Sequence, residues 1–277
     1  MDTTVARKLY RALEPYHAMI YFVPEASQAY KAYGIGGRMS YFASRGASMG
    51  AVSADMIISA FYNFNPGLVR SAIPAAWQRA TPAQIIDARF EGADAALRRV
   101  LSERVHSSEV AEAAQLAREA STACTPQGRI MYAAHATLEW PTEPHMVLWH
   151  AITLLREFRF GGHVAALLTD DVGPCEALVM HTATGEASRQ ALQTTRSWSD
   201  EEWEAATQGL RERGWLTPES TLTDEGKAHR DKVEQLTDQL ALAPWQHLGD
   251  AKCDRLRELG RPLSRAIIDA KAIPSGL

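Results

Sequence analysis

The stretch "SWSDEEWEAATQGLRERGWLTPESTLTDEGKAHR", Ser197 to Arg230, constrains the fold more than any other. Ser199 and Glu202 stand in the S-x-x-E spacing of a capping box, in which each side chain bonds the other residue's backbone N–H at a helix start. Trp198 and Trp203 flank that start at the positions of a hydrophobic staple. Trp203, Ala206 and Leu210 then continue one apolar stripe, and Gly214 supplies a stop. "WLTPEST" and the "LT" after it read as a tight hairpin, and Thr223-Asp224-Glu225 opens a long helix toward Leu242. Local signals that agree at every step leave little freedom. The segment is a helix, a short hairpin and a second helix.

Two shorter helical stretches, "GHVAALLTDDV" and "PCEALVMHTATG", precede it. Helices followed by helix, wing and helix outline a winged helix-turn-helix. Leu210, Gly214, Trp215, Leu216, Leu222, Thr223 and Gly226 give this stretch its likeness: it resembles the winged-helix half of the MarR family over roughly residues 175–240. That resemblance implies a DNA-reading helix at Asp200 and a β-wing. The charges point elsewhere. Residues 173–245 hold seven Lys and Arg against thirteen Asp and Glu, a net charge near −6. The turn that should meet base edges carries Asp200, Glu201, Glu202 and Glu204, and the "TPEST" wing has no cation. DNA binding needs cations that displace condensed counterions, and a reading helix meets bases and phosphates with its N-terminal turn. Carboxylates there stabilise the helix by about 0.3–1 kcal/mol each but repel phosphate. Arg189 and Arg196, on the preceding helix, are the best remaining candidates for DNA contact.

The rest of the chain is predicted to be mainly α, so the fold class is a helical N-terminal domain with a Gly-rich loop, joined to a winged helix-turn-helix with a small β-wing. The spacing of Val5, Leu9 and Leu13 gives a first helix, and Pro15 reads as the start of a second. "EASQAYKAY" is a helix stopping at Gly34, and the five glycines from Gly34 to Gly50 mark a non-helical insertion with "MSYFAS" as a candidate strand. Ser53, Asn65 before Pro66, Thr81 before Pro82, and Ser107 or Ser108 are predicted N-caps. "TPQGRIMYAAHATLEWPTE" reads as mostly helical. "PHMVLWHAITLLREFR" is the most apolar helix, predicted to end at Gly161-Gly162. "CDRLRELGRPLSRAIIDAKAI" closes the chain as an amphipathic helix. The expected division is residues 1–170 as a helical ligand-binding domain, 171–245 as the winged-helix module and 246–277 as a helical tail.

A chain of 277 residues with 46% hydrophobic residues can bury a sizeable core, and a net charge of −4 gives no overall pull toward nucleic acid. Three cysteines far apart, with no CxxC pair, suggest free thiols in a reduced compartment. Neither a signal segment nor an apolar run of membrane-spanning length is apparent, so a soluble, cytoplasmic protein with no membrane partner is expected.

The N-terminal strings "EPYHAMIYF", "YFASRGASMG", "FYNFNP" and "LWHAITLLREFRFGGHVAAL" carry more polar and aromatic detail than a plain core needs. With the winged-helix tail they resemble a little-characterised actinobacterial helix-turn-helix family, which implies no particular activity. His17, Tyr21, Phe42, Arg45, Tyr62, Asn63, His150, Glu157 and His163 are the candidate ligand-binding residues. His17 reads either as a core histidine bonded to a backbone carbonyl or as an acid–base or ligand group. Glu157 shares a helix face with His150 and requires a partner, for which Arg156, Arg159 and His150 are the local choices. His150, Glu157 and His163 together offer two imidazoles and a carboxylate, donor types of a zinc or iron site, though in no recognised spacing. "GIGGR" lacks the full dinucleotide fingerprint, and no nucleophile motif occurs. The leading expectation is a small-molecule-binding protein, an enzyme or a binding or resistance protein of specialised metabolism, with no catalytic residue and no cofactor assigned. One alternative is a ligand-responsive regulator that forms a homodimer through its terminal helices and binds DNA through another basic surface, with Arg189 and Arg196 its best candidates. The other is a metal- or haem-dependent enzyme that uses the N-terminal histidines.

Overall fold

The computed structural model describes residues 1–274, and these are all-α. The helices are α1 (Thr4–Ala18), α2 (Pro24–Lys31), α3 (Arg38–Gly46), α4 (Ala54–Phe61), α5 (Pro66–Ala72), α6 (Pro82–Leu101), α7 (Ser108–Ser121) and α8 (Ile130–Ala136). They continue with α9 (Pro144–Thr169), α10 (Pro174–Ala183), α11 (Arg189–Arg196), α12 (Asp200–Glu212), α13 (Asp224–Leu240), α14 (Ala243–Leu248) and α15 (Asp250–Asp269). The predicted caps form: Ser53, Asn65, Thr81, Ser107 and Ser199 each accept from a backbone N–H of the first helical turn.

Helix α9 is the axis of the molecule, packed by α1, α7, α8 and α13. It is apolar on nearly every side because it is buried on nearly every side. One apolar core gathers α1 to α8 and the first half of α9, and the side chains of α14 and α15 join it. A second core takes Ala166 and Leu167 at the end of α9 together with α10 to α13. The C-terminal helix returns to the start of the chain: Gly260 of α15 faces Leu13, and the Ser264 hydroxyl donates to Ala12 O at 2.7 Å.

Five expectations need correction. First, α1 runs through Pro15 without a break. Proline removes one backbone donor near the helix end, and the buried stripe of Leu9, Leu13, Tyr16 and His17 holds the remainder together. Second, the Gly-rich insertion is mostly helical, with α3 carrying "MSYFAS", because Tyr41, Phe42 and Arg45 pack inward. Third, α9 continues through Gly161-Gly162. Those glycines serve close approach: a Cβ on Gly161 would meet Arg129 Cγ at 3.1 Å, and one on Gly162 would meet Leu240 Cβ at 3.0 Å. Fourth, no β-wing forms among the described residues. The hairpin reduces to a single antiparallel bridge between Leu216 and Leu222, closed by Thr217 N–H donating to Thr221 O at 2.9 Å. With Pro218 in so short a loop, a longer ladder has no register to extend. Fifth, the "TPQGRIMYAAHATLEWPTE" stretch is helical only over α8.

Candidate functional site

The helix-turn-helix, α11 and α12, is docked on the N-terminal half through its turn. Ser197 takes a left-handed conformation (φ 57°) that reverses the chain between the two helices. Arg38 of α3 donates to the Ser197 hydroxyl at 2.6 Å and to Thr194 O at 3.1 Å. The α4–α5 turn supplies the other side of the clasp. Trp198 Nε1 donates to Asn63 O (3.0 Å), Asn65 N–H donates to Arg196 O (3.0 Å), and Asn65 Nδ2 donates to both Glu202 oxygens (3.0 Å each). The same Glu202 closes the capping box with Ser199. One carboxylate therefore both caps α12 and ties its first turn to the helical domain.

Beneath this clasp lies a partly open cavity of about 290 Å³, lined by α1, the α4–α5 turn, α9, α10 and α13. Phe160, Leu167, Val172 and Met180 give it an apolar wall; Tyr62, His163, His181 and Glu234 give it polar groups. Tyr62, at φ 59°, turns its hydroxyl to donate to Val172 O at 2.5 Å. His163 Nδ1 lies 3.1 Å from Thr237 Oγ1, whose own proton goes to Val233 O at 2.7 Å. The threonine oxygen is therefore the acceptor, so Nδ1 carries the histidine proton and Nε2 keeps a lone pair. Burial pushes His163 down to about 4 and His181 below its usual value. Burial works against the Glu234 charge, but Arg230 outweighs it and holds the carboxyl low. Arg230 bonds Glu234 at 2.8 Å. The cavity wall is thus mixed, apolar side chains alternating with polar ones, with a neutral imidazole acceptor and a paired carboxylate at one side.

A second polar group lies inside the helical domain. Arg45 reaches Glu157 with two bonds, 2.9 and 2.7 Å, and is sandwiched between the rings of Phe61 (4.5 Å) and Phe160 (4.6 Å). Arg156 bonds Glu157 at 2.8 Å and Glu14 at 3.0 Å. Burial raises the cost of the Glu157 charge, yet Arg45 and Arg156 hold its carboxyl well below the ordinary range. His17 Nδ1 faces Thr153 Oγ1 (2.9 Å) and Nε2 faces the Tyr21 hydroxyl (3.1 Å), so its partners are side chains rather than a backbone carbonyl. Burial drives His17 well below its usual value.

The nine candidate residues therefore divide. His17, Tyr21, Arg45 and Glu157 meet in the interior network, while Tyr62, Asn63 and His163 meet at the cavity. Phe42 belongs to an aromatic cluster with Tyr41, Phe61 and Phe64. His150 is set apart, edge-on to Trp140 at 4.7 Å and tilted against Phe90 at 5.8 Å, with burial pushing it down to about 3. His150, Glu157 and His163 each have separate neighbours, and no cluster of three or more metal-ligand side chains occurs among the described residues. Of the partners proposed for Glu157, only Arg156 is used; Arg159 bonds Asp238 at 2.8 Å instead, and Arg45 arrives from α3.

Arg189 and Arg196 are both engaged. Arg189 pairs with Asp200 (3.1 Å) and Glu204 (2.5 Å), and Arg196 lies 5.0 Å over the Phe64 ring. The sequence reading passed over Arg89, a buried guanidinium on α6 between the rings of Tyr21 (5.3 Å) and Trp149 (5.2 Å). A signal was present. Ile85, Arg89, Gly92, Ala93 and Ala96 recur at helical spacing, so Arg89 stands in the buried stripe of α6.

No helix among the described residues is long and apolar enough to cross a membrane. No curated protein and no solved structure matches the chain. The model of a helix-turn-helix family matches residues 6–274, so the helical half with its buried network, the cavity and the docked α11–α12 pair are all parts of the matched unit, and the chain belongs to that helix-turn-helix family.

Proposed function

We propose that this protein binds a small molecule with both apolar and polar groups in the junction cavity, that α10 and α13 on either side of the helix-turn-helix wall that site, and that the helix-turn-helix itself, α11 and α12, is docked on the helical half instead of reading DNA. The observation that carries the proposal is the cavity itself: about 290 Å³, walled by both halves of the chain, with convergent polar groups at Tyr62, His163 and His181. Small-molecule sites have this character, apolar side chains with placed polar groups among them, at the border between substructures. His181 Nδ1 makes no hydrogen bond, and His163 keeps an acceptor lone pair, so a ligand with one hydroxyl or amide group would find partners for it.

The state of the reading helix supports the second half of the proposal. Its first turn is bound to Asn65 through Glu202, and Arg189 on the neighbouring helix is neutralised by two carboxylates. The MarR-like character of the module then resides in packing positions such as Leu210 and Gly226, which specify shape and not a reading function.

The test is a thermal-shift screen of small compounds with both apolar and polar groups on the wild type and on Ala177→Phe, which places a ring in the cavity wall. Hits should raise the melting temperature of the wild type and lose that effect in Ala177→Phe. Hits indifferent to the substitution would overturn the site. Specific, steeply salt-dependent retardation of the protein's own upstream DNA would overturn the role given to the helix-turn-helix.

A further inference from the structure

Resting on the reading of the junction cavity as a small-molecule site, we propose that the site selects a neutral hydroxyl compound, a phenol or an alcohol, whose proton His163 Nε2 accepts. Two side chains of the cavity wall have a fixed hydrogen-bond sense, and both are acceptors. The first is set by helix geometry. Thr237 stands one turn after Val233 on α13, so its hydroxyl reaches the Val233 carbonyl at 2.7 Å. Thr237 is buried, at 1% exposure, so its proton has no solvent to turn to. Its oxygen then accepts from His163 Nδ1, 3.1 Å away on α9. A neutral imidazole has one proton, and here Nδ1 holds it. Burial keeps the ring neutral, pushing it down to about 4. Nε2 is the one ring nitrogen left to the cavity, and it has only a lone pair to offer.

Tyr62 is the second. Its hydroxyl donates its only proton to Val172 O at 2.5 Å, which leaves lone pairs for a ligand. Tyr62 and His163 line the same cavity. Asn63 and His181 adapt more freely. An amide both donates and accepts, and the unpartnered His181 ring can hold its proton on either nitrogen. The fixed pair therefore decides what is admitted.

An ether, a ketone or a carboxylate would set lone pairs against those of His163 and Tyr62 and leave both acceptors unmatched. A hydroxyl group gives its proton to Nε2 and keeps an oxygen for one of the adaptable groups. An ammonium compound also brings protons, but charge opposes it. Arg7, Arg159 and Arg230 converge on Glu234 and Asp238, three guanidiniums on two carboxylates, so the polar side of the cavity carries an excess positive charge. The remainder of the ligand packs on Phe160, Leu167, Val172 and Met180.

The experiment titrates the full chain with p-cresol, 4-methylanisole, 4-methylbenzoate and 4-methylbenzylammonium. p-Cresol should bind about tenfold tighter than 4-methylanisole, the ratio expected for one hydrogen bond at an otherwise unmatched acceptor, and tighter than either charged analogue. Thr237→Val keeps the side-chain shape but removes the acceptor that holds the proton on Nδ1, so the preference for p-cresol over its ether should fall to near parity. Without any ligand, nitrogen-15 NMR at neutral pH should find the His163 proton on Nδ1, in the resonance that His163→Gln removes. Equal binding of p-cresol and its ether, tighter binding of a charged analogue, an unchanged preference in Thr237→Val, or a proton on Nε2 would each overturn the choice of ligand. The cavity itself would still stand if all binding is lost in Ala177→Phe. Absence of binding by all four compounds, or binding that survives Ala177→Phe, would overturn both.

Discussion

At the scale of single residues the protein is governed by what its buried charges touch. Glu157 is fully buried and held by two guanidiniums. Glu157→Gln keeps the volume but leaves Arg45 without its counter-charge and Arg156 with Glu14 alone. The expected loss is about 3–5 kcal/mol, the usual cost of orphaning one member of a buried pair, read as a lower urea midpoint. The buried histidines have the opposite character, being stable because they are neutral. Burial pushes His135 and His163 to about 4 and His150 to about 3, and lowers His17 strongly. In the unfolded chain a histidine titrates near 6.5. Between those values the unfolded state binds protons that the folded state refuses, so stability is present above the unfolded value and is lost as pH falls toward the folded one. Each such group contributes up to about 1.4 kcal/mol per pH unit. The urea midpoint should therefore fall clearly from pH 7 to pH 5, and a flat profile would contradict the neutral assignment.

At the scale of elements, the local rules that were legible in the sequence are those whose partners lie within one turn. Ser199 and Glu202 bond each other as their spacing requires, and Ser53, Asn65 and Thr81 cap as their residue types require. The misread elements are those decided by distant side chains. Gly161-Gly162 looks like a helix stop until Arg129, thirty-odd residues earlier, is laid across it, its guanidinium bonding Phe158 O and Leu240 O (2.7 Å to the latter). Gly226, in the Leu-Thr-x-x-Gly pattern, has a comparable tertiary reason: a Cβ there would sit 2.1 Å from Trp215 O, a backbone atom that has nowhere to go. Gly226→Ala should gain helix propensity of about 1 kcal/mol yet destabilise the protein by more than that gain. Loss of protease resistance in residues 174–240 would show it; unchanged resistance would contradict the contact.

At the scale of the whole molecule the chain ends where it begins. Leu256, Leu263 and Ile267 of α15 are buried in the same core as Leu9 and Leu13 of α1. A chain cut after Leu240 would expose that face of α1 and lose the partner of the Ala12 carbonyl. Such a fragment should fail to give a cooperative unfolding transition, measurable by circular dichroism on heating. The helix-turn-helix is likewise not a free appendage. Arg38, Asn63 and Asn65 hold its turn, and the cavity exists because both halves line it.

The sequence by itself determined the helical class, most of the caps, the helix–turn–helix at Ser197 and the acidic character of its first turn. These depend on period, capping chemistry and charge, which act over one or two helical turns. It also drew attention to His17, Arg45, Tyr62, Asn63, Glu157 and His163, because polar and aromatic residues inside apolar stripes are costly without a purpose. Only the tertiary structure decided how those residues sort, with His17, Arg45 and Glu157 in an interior network and Tyr62, Asn63 and His163 at a cavity. It alone set Arg89 between Tyr21 and Trp149, joined α15 to α1 and reduced the wing to one bridge. The physical reason is range: hydrogen bonds and ion pairs act over a few ångströms in space, and these partners lie tens to hundreds of residues apart along the chain.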